Sequence, residues 1–196
     1  MRLLPGYLSG EQQRGLLAEI RSVLTEAPLY SPAMPRSGSP YSVRMSNCGW
    51  LGWLSDRNGY RYSPVHPLTG APWPAIPRPV LELWHATTGL AYAPQACLIN
   101  YYGPTAKLGL HRDQDEEAED APILSISLGD TALFRLGGPE RRSPSRSVRL
   151  SSGDLLVLSG PSRYWFHGVD RILPGTSQLL PEGGRFNLTL RRVTPP

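Results

Sequence analysis

The stretch from Cys97 to Asp113, C-L-I-N-Y-Y-G-P-T-A-K-L-G-L-H-R-D, reads as two strands broken at Gly103-Pro104. Side chains on a strand alternate faces with a period of two. That places Leu98, Asn100 and Tyr102 on one face of the first strand, with Cys97, Ile99 and Tyr101 behind. On the second strand Lys107, Gly109, His111 and Asp113 share a face, with Leu108 and Leu110 behind. His111 and Asp113 then lie about 7 Å apart along the strand, at a rise of ~3.3 Å per residue. Two ligands at that spacing can share one metal if the strand end curls.

A third ligand must come from elsewhere. Of the four histidines, His66, His85, His111 and His167, the last ends an apolar segment, R-Y-W-F-H-G. Two histidines and one carboxylate suit ferrous iron with positions left open. The tripeptide H-x-D alone is more often chance, with His167 a satisfied core histidine, so a second feature has to decide. Arg185 to Arg191, R-F-N-L-T-L-R, alternates strictly. Arg185, Asn187, Thr189 and Arg191 share a face, while Phe186, Leu188 and Leu190 share the other. An edge strand with a solvated polar face would look the same. Two arginines six residues apart span about 20 Å on a straight strand. They suit a dianion lying along the sheet, each guanidinium meeting one end as a planar fork. A ferrous triad beside a dicarboxylate clamp means a 2-oxoglutarate oxygenase. A zinc hydrolase fits the three ligands but not the clamp.

The set N-Y-Y-G-P, L-H-R-D-Q-D-E, S-R-Y-W-F-H-G and R-F-N-L-T-L-R resembles the AlkB family of nucleic-acid dealkylating dioxygenases. Upstream, M-S-N-C-G-W-L-G-W and G-Y-R-Y-S-P are similar to the bacterial members. The resemblance runs from about Leu3 to Arg192. It implies an α+β fold: a double-stranded β-helix, or jelly roll, with N-terminal supporting helices and a nucleotide-recognition lid. It also implies Fe(II) on His111, Asp113 and His167. The cosubstrate 2-oxoglutarate would lie on Asn100, Tyr102, Arg185, Asn187 and Arg191, with dioxygen as the oxidant. Arg185 would take the distal carboxylate and Arg191 the one near iron. The implied substrate is alkylated DNA, single-stranded or with the base flipped from a duplex, with RNA as the alternative. The positions matching base and backbone contacts are Met45, Trp53, Tyr60, Tyr62 and Arg141. Leu158 stands where an aromatic residue is expected in relatives. The implied reaction removes a methyl group from 1-methyladenine or 3-methylcytosine as formaldehyde, while 2-oxoglutarate becomes succinate.

The rest of the chain agrees with that frame. At 196 residues one domain is expected, with the lid over about residues 41–66 and the catalytic core over about 97–193. Glycine and proline make about a fifth of the chain, which favours short strands and turns. Residues 9–25 read as a helix, with Ser9 and Gln12 as its capping box. A second, shorter helix is read from about Val80 to Thr88, ended by Gly89. Glycine-jointed aromatics and arginines between Met45 and Tyr62 fit either an ordinary hairpin or a surface that stacks bases. Ile123–Leu128 and Ala132–Leu136 read as a hairpin across Gly129-Asp130. Residues 137–149, with four arginines among Ser and Pro, read as a loop. Asp113 to Asp120 holds six acids in eight residues and reads as a solvated loop. Asp115 is the exception, two residues past the metal carboxylate and placed to accept from a base amine.

No stretch approaches the ~18 apolar residues of a membrane span, and the start, M-R-L-L-P-G, has no apolar signal region. Two cysteines make no framework of bridges, which fits a reducing cytoplasm. A monomer is expected. Formal charge is +4, carried by 19 arginines and one lysine. That permits nucleic-acid contact and equally reflects a genome rich in Arg codons. Two other classes remain open: an oxygenase acting on protein or a small molecule, which would not need the aromatic lid, and a binding module without turnover, which would not need the triad.

Overall fold

The computed structural model describes residues 1–196. Strand β1 (Arg2–Leu4) leads into helix α1 (Gly10–Glu26). The helix begins where its capping box lies: Ser9 Oγ accepts from the Gln12 amide at 3.2 Å, and Gln12 Oε1 accepts from the Ser9 amide at 2.9 Å. Two donors that a helix start leaves unpaired are thereby satisfied. Three strands follow, β2 (Arg44–Gly49), β3 (Gly52–Asp56) and β4 (Gly59–Ser63), and then α2 (Arg78–Thr88). Gly89 ends α2 in the left-handed conformation, φ 72°.

Eight strands complete the chain. They are β5 (Ala96–Tyr102), β6 (Leu108–His111), β7 (Ile123–Gly129), β8 (Thr131–Leu136), β9 (Arg146–Leu150), β10 (Leu155–Leu158), β11 (His167–Leu173) and β12 (Arg185–Arg191). A six-stranded sheet has the order β1-β10-β7-β12-β5-β2, and a four-stranded sheet the order β6-β11-β8-β9. Successive strands fall on opposite sheets: β5 and β6, β7 and β8, β9 and β10, β11 and β12. This is the double-stranded β-helix, a jelly-roll arrangement. The helices do not both precede the strands as expected, since β1 comes before α1 and β2–β4 come between α1 and α2.

The alternation of β12 explains the layering. Leu188 and Leu190 are fully buried on the helix side, with Ile99, Ile126, Ile20 of α1 and Trp84 of α2. The opposite face of the large sheet presents Leu98, Tyr102 and Leu156 to Phe134, Leu136 and Val169 of the small sheet. Each such side chain fully buried contributes roughly 1.5–3 kcal/mol. β12 is therefore a central strand, paired on both sides with β5 and β7, and its polar face looks between the sheets.

Two readings need correction. β7 and β8 are not a hairpin: β7 pairs with β10 and β12, whereas β8 pairs with β9 and β11. Gly129 carries the chain from one sheet to the other at φ 99°, and a Cβ there would stand 2.6 Å from the Gly184 carbonyl oxygen. Only glycine fits. The loop read over 137–149 also contains β9, paired with β8. Within the expected lid, β2 belongs to the large sheet, and the β3–β4 hairpin alone stands outside both.

Candidate active site

A cavity of about 580 Å³ opens between the two sheets. His111 enters it from the end of β6 and His167 from the start of β11, where the two residues pair directly. β6 stops at His111, so the chain curls and Asp113 turns back toward them. His111 Nε2 lies 3.8 Å from Asp113 Oδ1, and His167 Nε2 lies 4.0 Å from Asp113 Oδ2. All three ligand atoms fall within 4.8 Å of one another.

The rings are oriented by their other nitrogens. His111 Nδ1 donates to the Gly109 carbonyl and His167 Nδ1 to the Trp165 carbonyl, each at 2.9 Å. A carbonyl only accepts, so each Nδ1 carries the proton and each Nε2 keeps a lone pair for a metal. Burial, and then the neighbouring His111, push His167 down to about 4, so it is neutral near pH 7 and ready to ligate. Burial opposes charge on Asp113. The Arg191 charge, then His167 and His111, outweigh it and hold the carboxyl well below the usual range.

The polar face of β12 forms the cavity floor. Register sets Tyr102 beside Arg185 and Asn100 beside Asn187, with Met45 on the far side of Asn100. Arg185 is fully buried, which lowers it to about 10. It donates to the Leu150 carbonyl at 3.0 Å and to Ser127 Oγ at 2.6 Å. Arg191 donates to Asp113 Oδ2 at 2.9 Å. Its Nε lies 3.4 Å from Glu116 Oε1, near enough for charge attraction but poorly aimed for a hydrogen bond.

Three buried side-chain polar atoms have no hydrogen-bond partner: Asn100 Oδ1, Arg185 Nε and Arg191 Nε. All belong to residues lining this cavity. An unsatisfied buried polar group costs ~1–3 kcal/mol, so their convergence on one space is the mark of a site for a polar ligand. Two guanidinium groups and an amide fit a small dianion, and the histidine–carboxylate set beside them fits Fe(II).

A model of the 2OG-Fe(II) oxygenase superfamily matches residues 1–191. The alpha-ketoglutarate-dependent dioxygenase AlkB homolog of Caulobacter vibrioides is 51% identical over 96% of this chain and 86% of its own length. The alpha-ketoglutarate-dependent dioxygenase AlkB of Escherichia coli K12 is 42% identical over 91% of this chain and 83% of its own. The solved structure of OsALKBH1 superposes with a TM-score of 0.80 at 32% identity, over 97% of each chain.

The chain belongs to the AlkB family of 2OG-Fe(II) oxygenases.

It is thus a dioxygenase dependent on Fe(II), 2-oxoglutarate and O2, and the residues described fit those cofactors. The AlkB chain's mouth is lined by the remaining expected residues, with one exception. Trp53 and Tyr60 of the β3–β4 hairpin stack, ring centroids 5.6 Å apart at 19°. Trp53 Nε1 donates to Asp115 Oδ2 at 2.9 Å. Met45, Asp115, Arg141 and Leu158 also line the cavity. Tyr62 does not: its hydroxyl is drawn to Glu116 beneath the hairpin. Asn187 lines the cavity, but its Nδ2 donates to Ser125 Oγ and the Ile126 carbonyl, and its Oδ1 accepts from Thr189. It has no free donor.

The acidic run is not all solvated. Glu116 is buried, paired with Arg163 at 2.8 Å. Arg163 also donates to the main-chain carbonyls of Asp113 and Ala121, so it fixes the segment that carries the metal carboxylate. Asp130, buried as well, accepts from the amides of Thr176, Ser177 and Gly184 at 2.9–3.1 Å. It organises the loop that delivers Arg185. No local pattern marks Glu116, Arg163 or Asp130; only their distant partners do.

Proposed function

We propose that this chain demethylates the Watson–Crick edge of alkylated bases, 1-methyladenine and 3-methylcytosine, in DNA and, as a second substrate, RNA. The observation that carries the reading is the stacked Trp53–Tyr60 pair at the mouth of the triad cavity, with Asp115 held on the indole. An oxygenase of free small molecules or of protein has no need of such a platform. Every base offers a π-face to an aromatic ring. 1-Methyladenine and 3-methylcytosine are cationic, which adds attraction to the indole face. The AlkB family membership supports the same substrate class.

In this account His111, Asp113 and His167 hold Fe(II). Arg185 and Tyr102 take the distal carboxylate of 2-oxoglutarate, and Arg191 and Asn100 serve the end near the metal. Asn187 acts by holding Ser125 and Thr189. Bound iron and cosubstrate supply oxidative decarboxylation to succinate coupled to hydroxylation of the N-methyl group, which leaves as formaldehyde. The protein positions the base and keeps water out. The target atom is hidden in a duplex, so the base must be flipped or single-stranded. A methyl on the pairing edge already breaks the pair and lowers that cost. Two unbridged cysteines, Cys48 and Cys97, support action in the reducing cytoplasm, and we place the enzyme there as a monomer.

The test is incubation with Fe(II), 2-oxoglutarate and an oligonucleotide carrying one 1-methyladenine. Repaired adenine and formaldehyde in equal amounts are expected. Turnover of 2-oxoglutarate with no change in any methylated oligonucleotide would refute the reading.

A further inference from the structure

Phe166, one residue before the buried His167, stands at the cavity mouth. Two guanidinium groups lie over its ring: Arg112 with its central carbon 5.5 Å from the centroid, and Arg141 at 5.8 Å. They reach it from different elements. Arg112 sits between His111 and Asp113, and Arg141 lies on the segment between β8 and β9. That segment is tied at its base to Phe166, whose carbonyl accepts from the Gly137 amide at 2.7 Å and whose amide donates to Gly138 at 2.9 Å. Both arginines thus meet at the Phe166 ring.

Neither arginine has its charge balanced by a carboxylate. Both are exposed, and neither forms an ion pair with a carboxylate within 4.0 Å, unlike Arg61, Arg78, Arg163 and Arg191. Arg112 spends its Nε on Gln114 Oε1 at 2.6 Å, which leaves both of its terminal nitrogens without a protein acceptor. Stacking on an aromatic face holds a guanidinium without consuming its hydrogen-bond edges. Two cations gathered on one aromatic ring, with terminal nitrogens free, among the residues lining a base-sized cavity match a pair of anions on the entering ligand.

We infer that Arg112 and Arg141 clamp the two phosphates flanking the extruded nucleotide, with Phe166 as the spacer that sets their separation. This rests on the nucleic-acid reading above and adds Arg112 as a contact that discriminates a nucleotide within a strand from a free base or nucleoside. Arg112 adjoins two metal ligands, so gripping the phosphate also fixes the strand relative to the metal.

The test measures binding of a single-stranded 1-methyladenine oligonucleotide to the holoenzyme, with Mn(II) and 2-oxoglutarate, across a salt series. Each phosphate contact contributes about 0.7 to the slope of log affinity against log salt for single strands. Arg112→Ala is expected to flatten the slope by about 0.7, Arg112→Lys to retain it, and Arg112→Ala with Arg141→Ala to flatten it by about 1.4. A neutral methylphosphonate at one of the two linkages flanking the lesion should weaken the wild type and leave Arg112→Ala unaffected. The affinity for 2-oxoglutarate should match the wild type in all variants. An unchanged slope in Arg112→Ala, with demethylation intact, overturns the clamp alone. Loss of 2-oxoglutarate affinity with an unchanged slope also overturns it, because Arg112 would then act through the metal strand. A wild-type protein that binds no oligonucleotide overturns the clamp and the demethylase reading together.

Discussion

Replacing Arg185 by lysine separates charge from shape at the cosubstrate site. Arg185 uses its terminal nitrogens to hold the Asp130 and Leu150 carbonyls and Ser127 Oγ, and its Nε remains unpartnered and buried. The guanidinium can anchor to the protein and still offer a second edge. Lysine has three donors on one nitrogen, and the three anchors would claim all of them. It cannot supply the parallel pair that a guanidinium gives a carboxylate. Losing one charge-assisted hydrogen bond removes ~1.5–3 kcal/mol, roughly a 10- to 100-fold rise in the dissociation constant at about 1.4 kcal/mol per tenfold. Calorimetric titration of 2-oxoglutarate into the Mn(II) form reads this directly, and a thermal melt reports folding separately. A natively folded Arg185→Lys protein whose affinity stays within about twofold of wild type would remove Arg185 from the site.

Alanine at His111, Asp113 or His167 should abolish turnover and weaken metal retention in equilibrium dialysis; full activity of any one at saturating iron contradicts the triad. Arg163→Met removes the nearer of the two arginines on buried Glu116, leaving it Arg191 at 3.4 Å and the Tyr62 hydroxyl; breaking a buried pair costs up to ~3–5 kcal/mol, or at most roughly 6–20 °C in Tm for a chain of this size, and an unmoved Tm would mean the pair carries no such load. Asp115→Ala should reduce activity on 1-methyladenine and 3-methylcytosine more than on 1-methylguanine and 3-methylthymine, because a carboxylate accepts from an exocyclic amine and repels a carbonyl. An equal loss on all four bases would confine Asp115 to its hydrogen bond with Trp53.

The triad and the β12 row were legible because period-two alternation is local. Arg185, Asn187, Thr189 and Arg191 had to share a face wherever β12 was placed. Strand partnership was not local. β7 and β8 have the length and turn of a hairpin, yet each finds its partners on a different sheet, a choice made by pairings with β10, β12, β9 and β11. Glu116 was hidden for the same reason. Within a run of six acids nothing distinguishes it, and its burial is set by Arg163, 47 residues away. Tyr62 follows the alternation of β4, but the neighbouring Glu116 captures its hydroxyl and takes it from the cavity. Asn187 was placed on the right face, and only its neighbours Ser125 and Thr189 reveal that its hydrogen bonds are already spent.

The geometry requires one cavity to hold metal and dicarboxylate together, on the residues that the strands bring there. A crystal structure grown without oxygen, with Mn(II) and 2-oxoglutarate, tests it most directly. The ion is expected on His111 Nε2, Asp113 and His167 Nε2, with one carboxylate on Arg185 and the other between the ion and Arg191. An ion bound elsewhere, or a dicarboxylate that leaves the Arg185 Nε unpartnered, would contradict it.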